Sequence, residues 1–295
     1  MIILISLIFL ASFFLFACNT KPDRKTGFLP NNTQKADQEV SINGQVDEPI
    51  PWSEKSKLEK LKQRYGTPRL MAAYRATLPD PIFNEAYNIK LAADTLAGTV
   101  VQPGEVFSQT ERLAPYSREK GYKEGPAYSN SRVVPAVGGG VCKIASFLYN
   151  VTILSNLPVI ERHPHSMPVP YVPTGQDATV TTGVHDFKFK NNTKGPILIW
   201  ADKIGKTLYM AFYGQEKPPR IIWGHKTIEE YPFETVTYYN SLLSQGKKKV
   251  VLPGAKGVKV RSWINIKRND GTYERKDLGV DYYSPFPRII EQGTK

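Results

Sequence analysis

Around residue 155 the spacing of the apolar side chains changes, and this limits the fold more than any other feature of the sequence. Before that point Ile82, Ala86, Ile89, Ala93 and Leu96 recur every three or four residues and stop at Gly98, a pattern that predicts a helix opening after Pro81. Ile144, Ala145, Leu148, Val151 and Thr152 repeat the same spacing and predict a second helix of about four turns, with Cys142 in its first turn. Beyond it the period falls to two. Ala178, Val180 and Thr182 alternate, Phe187 and Phe189 alternate, and Ile197-Leu198-Ile199-Trp200-Ala201 faces Leu208-Tyr209-Met210-Ala211-Phe212 across a turn built on Lys203-Ile204-Gly205-Lys206. Helices followed by an antiparallel sheet make the fold class α+β.

The 295 residues allow two modest domains behind an N-terminal leader. The leader is apolar and closes in Leu15-Phe16-Ala17-Cys18, as a lipoprotein signal does before its lipidated cysteine. A plain anchor helix is the competing reading, but the stretch is short for a membrane span and Asn19, Thr20 and Pro22 follow at once. Lys21 to Ile50 is polar without apolar period and reads as a tether. Leu58, Leu61 and Tyr65 mark a charged helix that breaks at Gly66-Thr67-Pro68, while Gly121 to Pro126 and Val133 to Gly140 read as loops. With Cys18 acylated, Cys142 remains the one free thiol and no internal disulfide is possible. The net charge is +12, and the last eighty residues hold half of it. For a chain held outside the membrane the available polyanions are wall polymers and anionic headgroups, so the expected partners are peptidoglycan or another wall glycan and, through the lipid anchor, the membrane; nucleic acid is not expected.

Several motifs carry a family resemblance. Pro103-Gly104-Glu105-Val106-Phe107-Ser108, Gly121-Tyr122, Gly138 to Cys142, Leu148-Tyr149-Asn150, Glu161-Arg162-His163-Pro164-His165-Ser166, Tyr171-Val172-Pro173 and Asp177-Ala178-Thr179-Val180 resemble the VanW family, in order, over about 130 residues. That resemblance implies a role in the cell envelope. The chain departs from the family pattern at Lys143, where Gln is usual, and at Ser146-Phe147, where Ser-Thr-Thr is usual. Tyr231-Pro232-Phe233-Glu234-Thr235, then Gly246, Gly254, Gly257, Gly271 and the ending Pro285 to Thr294 are similar to the extracellular five-glycine domain, which implies a surface protein that binds N-acetylglucosamine-containing glycan. Short β-prone runs such as Val250-Val251-Leu252 and Val258 to Arg261, set between Gly turns, agree with that likeness. The expected division is a signal over 1–18, a tether and helical region over 19–78, a VanW-like domain over 79–215 and a five-glycine domain over 222–295.

Five readings compete for the first domain. In a thiol enzyme Cys142, at the positive end of a helix, is the nucleophile. His163 or His165 is then the base, two residues apart in extended sequence and so facing one side, and Asp177 or Asp186 orients the ring. Gly138, Gly139 and Gly140 would present backbone donors to an oxyanion, and Tyr171 would line the substrate site. Alternatively Cys142 is a packed structural thiol and the glycines only allow close approach. A zinc site on Cys142, His163, His165 and an Asp lacks a Cys-x-x-Cys or a second long-spaced pair, so neither metal nor another cofactor is expected. A glycan-cleaving site would need only a carboxylic acid such as Glu161 or Glu105, and a scaffold would need only a groove of Tyr116, Tyr122, Tyr128 and Tyr171.

Overall fold

The computed structural model describes residues 44–47, 49–78, 83–129, 132–268 and 270–295; the signal segment, Cys18 and most of the tether lie outside them, as does the side chain of Tyr128. The described chain opens with α1 (Lys55–Tyr65), β1 (Arg69–Thr77), α2 (Phe83–Leu96), β2 (Thr99–Val101), β3 (Val106–Ser108) and α3 (Gln109–Leu113). A hairpin of β4 (Glu124–Ser129) and β5 (Arg132–Val137) leads into α4 (Cys142–Leu154), followed by β6 (Val159–Glu161), β7 (Lys188–Lys190), β8 (Ile197–Ile204) and β9 (Thr207–Gly214). The last segment holds β10 (Ile221–Tyr231), β11 (Thr235–Asn240), β12 (Lys248–Ala255), β13 (Gly257–Lys267), β14 (Tyr273–Tyr283) and β15 (Phe286–Gly293).

A four-stranded antiparallel sheet in the order β1-β9-β8-β2 is the central layer. The expected hairpin is β8–β9, joined by a tighter turn than expected, Gly205-Lys206, with Gly205 at φ 56°. Alternate residues of β8 serve two cores: Ile197, Ile199 and Ala201 face the main one, while Leu198 and Trp200 pack with Leu58 of α1 and Tyr213. Both faces being covered explains why the strand is an unbroken apolar run. α1 ends at Gly66 in the left-handed region and is pinned by Trp52 Nε1 donating to Tyr213 Oη at 2.9 Å and Ser53 N donating to Asp202 at 2.9 Å. Residues Arg69 to Thr77, expected within the N-terminal helical region, form β1 and so carry the sheet ahead of the expected start at 79.

The helix α4 is buried all round, from Lys143 to Leu154. A helix without a solvent face belongs at the centre of a core, and its polar residues must then find partners there. Ser146 Oγ accepts from Ala178 N at 2.9 Å and donates to Ala178 O at 3.1 Å, and Asn150 Nδ2 donates to Gln176 O at 2.7 Å. Those bonds take over the backbone of residues 176–178. For this reason the alternating run at Ala178 to Thr182 is not the expected strand; only a bridge between Thr181 and His185 forms there.

A second difference lies at 124–137, where expected loops form the β4–β5 hairpin. Its Pro126 and Pro135 stand opposite each other in a sheet of two strands, where missing donors are tolerated at edges. Asn88 of α2, fully buried, ties the hairpin base to the glycine loop: Nδ2 donates to Lys123 O at 2.8 Å and to Gly139 O at 3.0 Å, while Oδ1 accepts from Lys123 N at 2.8 Å.

After β9 the chain forms two three-stranded sheets, β10-β13-β14 and β11-β15-β12, with β11 parallel to β15. The first is built onto the main core. Ile221, Trp223 and Ile264 belong to it, and the Trp223 ring lies 5.7 Å from that of Tyr149 on α4. Among the described residues no helix is long and apolar enough to cross a membrane.

The glycine loop is the tightest joint in this arrangement. A Cβ on Gly139 would stand 2.7 Å from the Pro126 carbonyl oxygen and closer still to the Gly125 carbonyl group, both backbone and unable to yield. Gly139→Ala is expected to lower stability by about 3 kcal/mol, read from denaturant unfolding of the full chain.

Candidate functional site

Cys142 opens α4 one residue behind Gly138-Gly139-Gly140, after Val141, as the sequence predicts. It lines a cavity of about 570 Å³, within the size range of small-molecule sites. The walls are the glycine loop, the β4–β5 hairpin, residues 179–182, Tyr116 and Tyr171, and His165 lies among them. Gly138, at φ 82°, passes against Tyr116, and a Cβ on Gly140 would meet the Glu85 side chain at 2.9 Å. The glycines therefore serve close approach. The N–H groups of Gly138 and Gly139 are spent on Lys123 O and Ala136 O, both at 3.0 Å, so these two are not the oxyanion donors expected of the loop.

The segment stitched to α4 by Ser146 and Asn150 carries the partners of the thiol. Cys142 Sγ lies 3.4 Å from Thr179 Oγ1 and 3.6 Å from Val180 O, and it hydrogen-bonds the His165 ring. His165 Nδ1 is 2.6 Å from Asp177 Oδ2, which also accepts from the His165 backbone N–H at 2.7 Å. Cys142, His165 and Asp177 thus form one continuous chain of hydrogen bonds. Asp177 is fully buried, and its Oδ1 accepts from Arg162 Nη2 at 3.2 Å and from Tyr283 Oη.

The charges follow from these contacts. Burial pushes the Cys142 thiol up, but the hydrogen bond and positive charge of His165, with Thr179 and the Val180 backbone, bring it down to about 7. Burial pushes His165 down, yet the Asp177 carboxylate and the thiolate raise it to about 9. Asp177 is opposed by burial and held below the usual carboxylate range by His165 and Arg162. Between about 7 and about 9 the stable state is therefore a thiolate beside an imidazolium.

The other expected site residues lie elsewhere. His163 does not share a side with His165, because β6 ends at Glu161 and the following Pro164 segment is not a strand. Its ring lies against that of His185, tilted by 36° with centroids 4.2 Å apart, and its Nε2 lies 3.2 Å from Glu161 Oε1. Asp186 caps α3 instead of orienting a histidine, accepting from Ser108 Oγ at 2.5 Å and Thr110 N at 2.9 Å. Glu161 bonds Lys188 at 2.9 Å, chiefly for which its pKa is lowered, the opposite of what a general acid requires. Glu105 closes a turn on Gln102 N at 2.7 Å. Of the tyrosine groove, Tyr116 and Tyr171 line the cavity, while Tyr122 is buried behind Tyr116. Lys143, the departure from the family pattern, is buried in an ion pair with Glu85 beneath the ring of Tyr171, its Nζ 4.8 Å from the centroid. Glu85 lies 58 positions from Lys143 and had no signal in the sequence. Thr179 lies in the run Asp177-Ala178-Thr179-Val180, where nothing in the sequence set it apart.

Residues 84–213 match the model of the VanW like protein family, and residues 225–295 match that of the G5 domain. The chain joins a VanW domain to a G5 domain. It is 37% identical over 133 residues to YoaR of Bacillus subtilis, covering 45% of this chain and 44% of that protein. It is 30% identical over 140 residues to the vancomycin B-type resistance protein VanW of Enterococcus faecalis, covering 46% and 51%. The chain thus spans about half the length of the curated relatives it matches. Two solved structures are also similar, the IgA1 protease G5 domain (28% identity over 28% of this chain and 99% of that one, TM-score 0.18) and HP0197-G5 (21% over 25% and 99%, TM-score 0.15). Cys142, His165, Asp177 and the glycine loop all fall within the VanW domain, and Tyr283 falls in the G5 domain.

Asp177→Asn keeps the size of the side chain but removes the charge that His165 and Arg162 face. It is expected to destabilise the protein by about 3 kcal/mol at neutral pH, measured by denaturant unfolding. Because the carboxylate pKa is depressed in the folded state, the difference disappears as the pH falls below about 4, and because Asp177 raises the His165 imidazolium to about 9, the part that rests on that ion pair fades as the pH rises to about 9.

Proposed function

We propose that this is an extracytoplasmic, cell-wall-associated protein that recognises peptidoglycan and remodels it by acyl transfer at Cys142. The observation that carries this reading is the Cys142–His165–Asp177 chain at the wall of an open cavity. A thiolate favoured near neutral pH is nucleophilic, and the ring beside it holds the proton that a leaving amine needs. The Cys142 thiolate attacks an amide carbonyl carbon, the C–N bond breaks as His165 protonates the departing amine, and a thioester remains. Water or a second amine then attacks the thioester while neutral His165 takes its proton, which releases the thiolate and restores the imidazolium. Asp177 holds the ring with Nδ1 toward itself, leaving Nε2 for the sulfur. The positive end of the α4 dipole favours the thiolate and the developing oxyanion.

The wall as target is supported by the G5 domain, the VanW relatives and the basic surplus of the last eighty residues, 15 basic against 9 acidic side chains. The motif Leu15 to Cys18 supports attachment to the outer face of the membrane through an acylated Cys18. In this reading the G5 domain holds glycan and the VanW domain acts on the peptide beside it.

Incubation of the full chain with purified wall is expected to release or exchange peptide, with a bell-shaped pH profile whose limbs lie near about 7 and about 9. Cys142→Ser is expected to lower that activity by about a thousandfold or more, with the unfolding midpoint little changed when it is read below pH about 7, where the thiol is neutral and no ion pair is lost. Activity that survives in Cys142→Ser contradicts the proposal.

A further inference from the structure

A contact between the two domains falls on the carboxylate that holds the site's imidazole. Tyr283, at the end of β14 and fully buried, donates its hydroxyl to Asp177 Oδ1 and accepts from Gly175 N at 2.7 Å. Two residues earlier on the same strand, Asp281 takes both terminal bonds of Arg162 Nη1, at 2.6 and 2.7 Å. Arg162 reaches back into the site, donating from Nε to Asp177 O at 2.8 Å and from Nη2 to Asp177 Oδ1. Oδ1 of Asp177 is thus held by Arg162 and the G5 phenol, while Oδ2 is given wholly to His165.

We infer that Tyr283 is a positioning residue for the thiol site: it fixes the Asp177 carboxylate in the orientation that grips His165, so that the VanW domain's site is complete only with the G5 domain docked on it. The inference rests on the acyl-transfer reading of Cys142. Each charge in the path faces its opposite, from Asp281 through Arg162, Asp177 and His165 to Cys142, and the path begins in the G5 domain. Burial and the neighbouring Asp177 push the phenol well above its ordinary value, so it stays protonated and remains a donor at every pH at which the thiolate exists. Tyr149 lies against Arg162 with 5.0 Å between guanidinium and ring, and Tyr116, Glu85 and Lys143 face the cavity; none of these belongs to the G5 domain. The same domain contact also contains bonds that leave Asp177 untouched. Gln176 Nε2 and His225 Nε2 are 2.8 Å apart, and His225 Nδ1 and Ser262 Oγ are 3.1 Å apart. A carboxylate held from both domains links glycan capture by one to thiol reactivity in the other.

The test is the pH dependence of iodoacetamide labelling of Cys142 in the folded full chain, read on the Cys142 peptide by mass spectrometry. The wild-type midpoint is expected near about 7. Tyr283→Phe, which removes one oxygen, is expected to move it up by about one pH unit, a tenfold loss of thiolate on the rising limb. Asp281→Asn, which frees the Arg162 charge to compete with His165 for Asp177, is expected to move it the same way by less, and it stands in should Tyr283→Phe not fold. His225→Gln loosens the same interface away from Asp177 and is expected to leave the midpoint in place. A midpoint unmoved in Tyr283→Phe and Asp281→Asn overturns the inference, as does an equal movement in His225→Gln, which would mark general loosening. A wild-type thiol that titrates at the ordinary cysteine value overturns the acyl-transfer reading itself, so the two failures are told apart.

Discussion

A fully buried carboxylate is costly unless its lone pairs are filled, and the structure is organised around filling those of Asp177. Four donors do so: the His165 backbone N–H and ring, Arg162 and Tyr283. They come from the segment after β6 and from the end of β14, so one side chain commits both domains to a single arrangement. The same charge fixes the protonation of the imidazole, and the imidazole in turn fixes that of Cys142. Packing, domain docking and the chemistry of the thiol are thereby consequences of one desolvated charge.

The helix α4 delivers the precision. Cys142, Ser146 and Asn150 follow one another at the four-residue repeat, so they form a stripe along a helix that has no freedom to roll within its core. Ser146 and Asn150 hold residues 176–178, which leaves Asp177 and Thr179 at a defined distance from the sulfur. The glycine loop lets the helix start against α2 and the β4–β5 hairpin, where larger residues would collide with the hairpin backbone and with the Glu85 side chain. A catalytic cysteine and a packed structural cysteine are thus less opposed than they look in sequence, because the glycines serve close packing and the packing places the thiol.

The elements that proved legible were those written in local periodicity. The helix from Cys142, the helix ending at Leu96 and the β8–β9 hairpin each follow from apolar spacing within a window of about fifteen residues. The hairpin at 124–137 was hidden because Pro126, Pro135 and its flanking glycines are loop residues by composition, and they form strands only where α2 and Asn88 support them. His165 could not be separated from His163, nor Asp177 from Asp186, because each pair offers the same chemistry and the choice is made by long-range contacts with α4 and α3. Tyr283 lies 106 positions from Asp177 and carried no signal at all. The fold was therefore readable wherever neighbours in sequence decide it, and the site only as far as Cys142 and its loop.

The central claim is that Cys142 and His165 form an ion pair, and the imidazole reports on this directly. Proton titration of the His165 ring followed by NMR in the full chain is predicted to show an imidazolium that persists to about 9, and a clear fall of that midpoint in Cys142→Ser, where the thiolate charge is gone. A His165 ring that titrates near its ordinary value of 6.5, with the same midpoint in both proteins, would contradict the account.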